Sequence, residues 1–200
     1  NVHVVMTEHA TELIRPQLFQ ALSRNPVYSS LFGDRLEDPM LHVGPLSHPD
    51  LMVMAPATAS LIGRYAMGLA TDLLTTLLLA TTAPVVVAPA MNTQMWQHPF
   101  VQEHVQKLQD IGVSIVPPQV GELACGIYGV GHLADHETIL WMAERALYPQ
   151  DLKGKHVLIS MGATRESLDP VRVLTNRSSG KMGLATVKAA FVRGARVTVL

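Results

Sequence analysis

Short runs of consecutive apolar residues alternate with longer stretches of helical periodicity along this chain. The apolar runs predict strands over 2–6, 51–55, 85–88, 113–116, 156–160 and from 195 onward. The periodic stretches predict helices over 7–22, 58–80, 100–111, 136–146 and 180–194. Strands that alternate with helices are typical of a parallel sheet, and an uninterrupted apolar strand such as 51–55 is expected to be buried on both faces. The pattern therefore predicts an α/β fold.

Two stretches interrupt this alternation. Residues 117–135 contain four glycines and predict a long irregular loop, either a functional flap or a passive connection. Residues 149–154 are polar and contain Pro149 and Gly154, which predicts a linker between a first domain over 1–148 and a second domain over 155–200. The second domain contains one βαβ unit, which cannot bury both faces of a sheet unaided, so it is predicted to be a fragment.

Composition narrows the classes of function. With 15 Lys and Arg against 16 Asp and Glu, the chain has no basic excess with which to bind nucleic acid. A content of 48% hydrophobic and 16% charged residues excludes intrinsic disorder. A single cysteine can form no internal disulfide, which favours a reducing compartment such as the cytoplasm. The charge-free run 73–91 contains threonines and prolines, so it predicts a buried helix and strand rather than a membrane span.

Three polar positions follow predicted strands, at the edge where open α/β sheets bind ligands. The turn Thr58-Ala59-Ser60 opens a helix whose N–H groups could hold a phosphate or a ring carbonyl. Alternatively, Thr58 or Ser60 could simply cap that helix. Asn92 could bind a carboxylate through its amide, or it could form a turn. Cys125 could donate a proton, or it could be buried in packing.

The remaining polar residues carry no clear signature of a metal or nucleotide site. The nine histidines form no metal-binding motif, and no metal site is predicted. The sequence contains neither a dinucleotide-binding glycine fingerprint nor a Walker loop. The loop 176–181 places amides, hydroxyls and a cation at a helix start, where an anion site and a surface cap are both possible.

Several segments together resemble one family, the bifunctional proteins of coenzyme A biosynthesis that join phosphopantothenoylcysteine decarboxylase to phosphopantothenate-cysteine ligase. Six segments of this chain resemble the decarboxylase half of that family. They are Val4-Val5-Met6-Thr7-Glu8, Phe19-Gln20-Ala21-Leu22, Ala55-Pro56-Ala57-Thr58-Ala59, Asp72-Leu73-Leu74-Thr75-Thr76, Pro89-Ala90-Met91-Asn92 with Met95-Trp96, and Ala124-Cys125-Gly126. Three further segments resemble the ligase half. They are Gly162-Ala163-Thr164-Arg165-Glu166, Asp169-Pro170-Val171-Arg172 and Asn176-Arg177-Ser178-Ser179-Gly180-Lys181-Met182-Gly183.

The resemblance implies a flavodoxin-like flavoprotein with helices on both faces of a parallel sheet, in which FMN is bound between subunits of a trimer, with a dodecamer in the full-length protein. Its implied reaction is the decarboxylation of 4'-phospho-N-pantothenoylcysteine to 4'-phosphopantetheine, after oxidation of the substrate thiol. The implied partners are small molecules rather than nucleic acid or membrane. The ligase half is implied to use CTP and Mg²⁺, mostly through residues beyond Leu200.

The same resemblance assigns roles to individual residues. The implied catalytic residues are Cys125, His42 and Asn92. Cys125 is implied to donate a proton, His42 to be the active-site histidine, and Asn92 to bind the substrate carboxylate. Spacing to Asp50 favours His42 over His48. The implied cofactor-binding residues are Thr7, Thr58, Ala59, Ser60 and Ala90. Substrate contact is assigned to Asn92 and Met95, and a ligase role to Asn176.

Two departures and two alternatives accompany the resemblance. Ser60 stands where the family more often has asparagine, and His132-Leu133 stand where it often has Arg-Met. The family's phosphate-binding strand and loop would precede Asn1, so these 200 residues alone are predicted to bind FMN weakly and to lack ligase activity. The alternatives are a flavin prenyltransferase, disfavoured by residues 151–200, and a flavin-binding regulator, disfavoured by Cys125.

Overall fold

The structure is a computed structural model that describes residues 1–31, 46, 48–122, 126 and 128–200. The chain forms two compact units, Asn1–Asp135 and His136–Leu200. The strands of the first unit are β1 (Val4–Val5), β2 (Val27–Tyr28), β3 (Met52–Ala57), β4 (Val85–Pro89), β5 (Ser114–Ile115), β6 (Gln119–Glu122) and β7 (Tyr128–His132). Its helices are α1 (Glu8–Leu13), α2 (Pro16–Ser23), α3 (Ala59–Ala66), α4 (Leu73–Ala80), α5 (Thr93–Trp96) and α6 (Pro99–Asp110).

The centre of the first unit is a parallel sheet in the order β3-β4-β5. All five residues of β4 are buried, because this strand has a neighbour on each side and helices pack on the sheet. The expectation that the preceding strand is buried on both faces is wrong, since the Val53 side chain in β3 stays 43% exposed. In the described part of the chain β3 pairs with β4 alone, and β1 and β2 form a separate parallel pair.

Both long helices predicted for the first unit are divided in the structure. Pro16 has no N–H to donate within a helix, so α1 ends at Leu13 and Pro16 begins α2. The second division lies between α3 and α4, where Gly68 adopts φ +71° and Asp72 starts a new helix with a capping box. The buried helix and strand predicted over 73–91 are confirmed as α4 and β4. No helix in the described ranges has the length and hydropathy to cross a membrane.

The glycine-rich stretch 117–135 is not the irregular loop that was predicted. Strands β6 and β7 form an antiparallel hairpin in which Glu122 pairs with Tyr128. Glycine content suggested irregularity, but Gly129 and Gly131 lie within β7, where they allow a close approach described below. Asn92, for which a turn was one possibility, is followed by the short helix α5.

The second unit contains the predicted βαβ unit. Its elements are α7 (His136–Leu147), β8 (His156–Ile159), β9 (Arg165–Ser167), β10 (Val173–Thr175), α8 (Lys181–Val192) and β11 (Arg196–Val199). Strands β8 and β11 pair in parallel, and Ile159, Ala190 and Ala195 form the buried cluster between that pair and α8. The predicted loop between β8 and α8 contains an antiparallel hairpin of β9 and β10, whose residues are all exposed.

Candidate functional site

Two turns predicted to carry chemistry lie side by side at the carboxyl edge of the central sheet. Ala57 at the end of β3 is aligned with Pro89 at the end of β4. The Ala90 N–H donates to the Ala57 carbonyl at 3.0 Å, which joins the turn after β3 to the turn after β4. The structure therefore brings together Thr58, Ala59 and Ser60 with Ala90 and Asn92. This edge is where parallel sheets bind ligands.

The first turn opens α3. The Thr58 hydroxyl accepts a hydrogen bond from the Leu61 N–H at 3.2 Å, so Thr58 does cap the helix. The first N–H groups of a helix have no partners within the helix. In α3 the N–H groups of Ala59 and Ser60 come before the Leu61 N–H, which Thr58 caps. Thr58 and Ser60 are exposed and Ala59 is half-buried. The turn thus presents backbone donors and small side chains to a ligand such as a phosphate or a ring carbonyl.

The second turn positions the Asn92 amide. Asn92 caps α5, and its Oδ1 accepts the Gln94 N–H at 2.8 Å. Because an N–H donor must face an oxygen, this bond fixes which end of the amide is Oδ1 and which is the donor Nδ2. Met95 on α5 is 49% exposed, whereas Trp96 is half-buried and packs on the main core. Met95 is therefore available to a ligand, and Trp96 serves packing.

The β6–β7 hairpin lies against this second turn. The Met91 N–H donates to the Gly131 carbonyl at 3.0 Å. A Cβ on Gly131 would lie 2.1 Å from the Met91 carbonyl oxygen, and a Cβ on Gly129 would lie 2.4 Å from the Thr93 hydroxyl oxygen. This contact was missed from the sequence. The alternation of Gly129 and Gly131 was its only signal, since alternate residues of a strand share one face.

The remaining predicted residues belong to other elements or fall outside the described residues. Thr7 follows β1, and its hydroxyl caps α1 by accepting the Ala10 N–H at 3.3 Å. Asn176 belongs to the second unit, where its Oδ1 accepts the Thr164 N–H at 3.2 Å. His42 and Cys125 lie outside the described residues, so their roles stay predictions. His48, the other histidine considered, is exposed.

A cavity of about 540 Å³ lies at the opposite, amino edge of the sheet. It is lined by Leu79, Pro84 and Ile111 among others, and by the buried Tyr65. Burial raises the pKa of the Tyr65 hydroxyl. We assign the site to the carboxyl edge, because among the described residues that edge carries both the N-terminus of α3 and the oriented Asn92 amide. Over the described ranges, no group of three or more His, Cys, Asp or Glu side chains could hold a metal ion.

The junction of α3 and α4 holds an ion pair between Arg64 and Asp72. Asp72 caps α4 by accepting the Thr75 N–H at 2.8 Å, and it pairs with Arg64 at 2.5 Å. Burial alone would raise the pKa of Asp72. The hydrogen bonds from Thr75 and the charge and hydrogen bond of Arg64 together outweigh burial, so the pKa is lowered. The segment 72–76 is therefore explained by helix capping.

This lowered pKa predicts a pH dependence of stability. The unfolded chain binds a proton at Asp72 at a higher pH than the folded chain does. The Asp72 carboxylate should therefore make its full contribution to the stability of the folded state above a pH of about 4. That contribution should be lost as the pH falls through the lowered folded-state pKa. Urea unfolding from neutral to acidic pH should show the stability difference between the parent and Asp72→Asn shrinking on acidification. Glu103→Gln on α6 serves as an exposed control, and a difference independent of pH would contradict the expectation.

Comparison with known proteins adds independent information. The model of the family described as "Flavoprotein" matches residues 1–147. The model described as "DNA/pantothenate metabolism flavoprotein C-terminal domain" matches residues 152–200. A coenzyme A biosynthesis bifunctional protein CoaBC from Bacillus subtilis (strain 168) is 46% identical over 203 residues, which cover 100% of this chain and 50% of that protein. The chain thus spans about half the length of this relative.

Two solved structures resemble a large part of this chain. One is a PPC decarboxylase mutant complexed with pantothenoylaminoethenethiol, with 34% identity, a TM-score of 0.59 and coverage of 69% of this chain and 78% of that one. The other is the FMN-dependent cysteine decarboxylase SpaF, with 31% identity, a TM-score of 0.62 and coverage of 74% and 81%. These similarities confirm the predicted flavodoxin-like α/β fold and the resemblance stated from the motifs.

Proposed function

Because the chain belongs to the flavoprotein family, we propose that it is the FMN-dependent decarboxylase part of a bifunctional protein of coenzyme A biosynthesis. Its substrate is 4'-phospho-N-pantothenoylcysteine, and its product is 4'-phosphopantetheine. Support comes from the Bacillus subtilis relative, whose name states coenzyme A biosynthesis, and from the two decarboxylase structures. The observation that carries the proposal is the Ala90–Ala57 hydrogen bond, which holds a turn suited to a flavin beside a turn suited to a carboxylate.

The residues at the carboxyl edge fit FMN. Thr58, Ala59 and Ser60 supply backbone N–H groups and small side chains, and Ala90 adds backbone on the neighbouring turn. The exposure of Thr58 and Ser60 leaves this face open to a planar ring. Thr7, at the carboxyl end of β1, would contribute a hydroxyl. When bound, FMN supplies reversible oxidation of the substrate thiol, which allows CO₂ to leave without an unsupported carbanion.

Asn92 binds the cysteinyl carboxylate. With Oδ1 held by the Gln94 N–H, the Nδ2 donors are oriented for a carboxylate, and donors to an ionised acceptor give stronger hydrogen bonds than neutral pairs. The exposed Met95 contacts the rest of the substrate. The orientation of Asn92 thus sets where the leaving CO₂ is held.

Cys125 is the proton donor for the reduction that completes the cycle, and His42 is the active-site histidine. Neither residue lies within the described ranges, and both assignments rest on the sequence resemblance. In the sequence, Cys125 lies between Glu122 and Tyr128, the paired residues at the end of the hairpin.

The second part of the chain is the beginning of a phosphopantothenate-cysteine ligase that uses CTP and Mg²⁺. The match of residues 152–200 to the C-terminal family supports this assignment, and Asn176 is its proposed ligase residue. The proposed division is a decarboxylase domain over 1–148, a linker over 149–154 and the ligase part over 155–200. The full-length protein is proposed to be a cytoplasmic homo-oligomer with trimeric decarboxylase units.

The test is CO₂ release from 4'-phospho-N-pantothenoylcysteine by the full-length protein and its Cys125→Ser variant. The parent should release CO₂ and form 4'-phosphopantetheine. The variant should lose product formation by about 100-fold or retain an oxidised intermediate, because a serine hydroxyl is a much weaker acid than a thiol. Val120→Ala, at an exposed position of the same hairpin, is the matched control and should behave as the parent. A parent that holds FMN but releases no CO₂ would refute the proposal in favour of a flavin-binding regulator.

A further inference from the structure

Strand β7 contacts the turn that carries Asn92 at two residues, the one before Asn92 and the one after it. A Cβ on Gly129 would meet Thr93 and a Cβ on Gly131 would meet Met91, so both glycines present bare backbone to this turn. Gly131 accepts the Met91 N–H, and Gly129 lies against Thr93. Met91 and Thr93 are the two sequence neighbours of Asn92. The position of this asparagine is therefore set by both contacts.

Neither glycine leaves space for a side chain. At Gly131 the φ of +144° is rarely adopted by other residues, and the obstructing atom is the Met91 backbone oxygen, 2.1 Å from a built Cβ. At Gly129 the obstructing atom is a side-chain oxygen of Thr93, 2.4 Å away, while the Thr93 Cβ is at 3.4 Å. The first contact cannot be relieved by shortening a side chain, but the second can.

The Thr93 hydroxyl is itself unusual. It is buried and has no hydrogen-bond partner among the described residues. Buried polar atoms are nearly always paired, and an unpaired one destabilises the packed arrangement. The same oxygen is the atom nearest to a Cβ placed on Gly129, so the hydroxyl lies directly against that glycine. The hairpin is thus held against the turn tightly enough to bury a hydroxyl at a cost.

We infer that Gly129 and Gly131 are positioning residues, which fix the Asn92 amide by allowing β7 to pack directly on the Met91-Asn92-Thr93 turn. The inference rests on the proposed function for the role of Asn92, but the packing itself does not. A side chain at either position would displace the turn. A displacement of about 1 Å at a substrate-binding group can lower the rate by about 100-fold.

The experiment compares Gly129→Ala, Thr93→Ala and the double variant in the full-length protein loaded with FMN. Gly129→Ala should lower kcat/KM for 4'-phospho-N-pantothenoylcysteine by about 10- to 100-fold. Thr93→Ala should stay close to the parent, because the alanine Cβ still lies beside Gly129 and the Met91–Gly131 hydrogen bond is retained. The double variant should recover most of the activity, since the remaining Cβ contact of 3.4 Å is an ordinary one. An alanine that acts through backbone strain, and not through the contact with Thr93, would not be rescued in this way.

Two further variants and one further measurement complete the test. Gly131→Ala should be impaired and not rescued by Thr93→Ala, because it meets backbone. Gly121→Ala is the matched control on the paired strand, because the atoms nearest to its Cβ belong to the exposed His132 side chain, at 3.2 Å, and not to the Asn92 turn. Amide exchange at the Met91 N–H should accelerate in Gly129→Ala and return to the parental rate in the double variant.

The outcomes separate this inference from the proposed function. Unchanged exchange in Gly129→Ala, or a double variant as impaired as Gly129→Ala, would overturn the inference. Faster exchange with parental kcat/KM would show that the packing does not position Asn92 and would also overturn it. A parent protein without decarboxylase activity refutes the proposed function, and the exchange measurements still report whether the packing depends on the glycines.

Discussion

Asn92→Asp is expected to lower kcat/KM for 4'-phospho-N-pantothenoylcysteine by about 1,000-fold or more, while the protein keeps its fold. The aspartate still offers an oxygen to the Gln94 N–H, and aspartate is among the best residues at a helix N-cap, so α5 should be retained. The change removes the Nδ2 donors and places a negative charge where the substrate carboxylate binds. The loss therefore isolates the donor function of Asn92 from its capping function.

Steady-state kinetics together with thermal unfolding would check this expectation. Asn92→Ser is the matched variant, because serine also caps a helix but adds no charge. It should lose less activity than Asn92→Asp and have similar stability. Activity within tenfold of the parent in Asn92→Asp would show that the amide does not bind the carboxylate. A loss of flavin from both variants would instead place Asn92 in the cofactor site.

Thr75→Val is expected to lower the free energy of unfolding by about 3 kcal/mol. Thr75 is fully buried, and its hydroxyl oxygen accepts the N–H groups of Thr71 and Asp72, each at 3.1 Å. It also donates to the Asp72 carboxylate at 2.7 Å. Valine has the same shape but no oxygen, so both N–H groups would lose their acceptor. Denaturant unfolding monitored by circular dichroism measures the effect.

Thr76→Val on the same helix is the control for this effect. The Thr76 hydroxyl donates to the Asp72 carbonyl at 2.8 Å, and that carbonyl also accepts the Thr76 N–H. Removing the hydroxyl therefore leaves no group unpaired, and the loss should stay below about 1 kcal/mol. Equal losses in the two variants would mean that the capping box contributes little to the stability of α4.

Local sequence signals predicted the elements whose cause is local. The apolar run at β4 and the small-residue turn after β3 needed only neighbouring residues to be interpreted, and both are present. The long helix predicted from residue 7 was wrong because helical periodicity was weighted above Pro16, which lacks the required N–H. The single helix predicted over 58–80 was wrong because the capping box at Asp72 was not recognised.

The contact of β7 with the Asn92 turn had no local signal strong enough to predict it. It joins residues almost forty positions apart, and pairing over that distance depends on the folded arrangement rather than on propensity. Glycine in a sequence can indicate either a flexible backbone or a place where another segment packs closely against the chain. For Gly129 and Gly131 the prediction of an irregular loop assumed a flexible backbone. The second became apparent only when the atoms opposite each glycine were known.

The burial of β4 has a consequence for how this protein can diversify. Its five strand residues are sealed in the interior, yet only one residue separates Pro89 from Met91, where the ligand-facing turn begins. Exposed positions such as Ser60 and Met95 contribute nothing to that interior. Substrate preference can therefore drift by changes at these rim positions without eroding the interior on which folding depends.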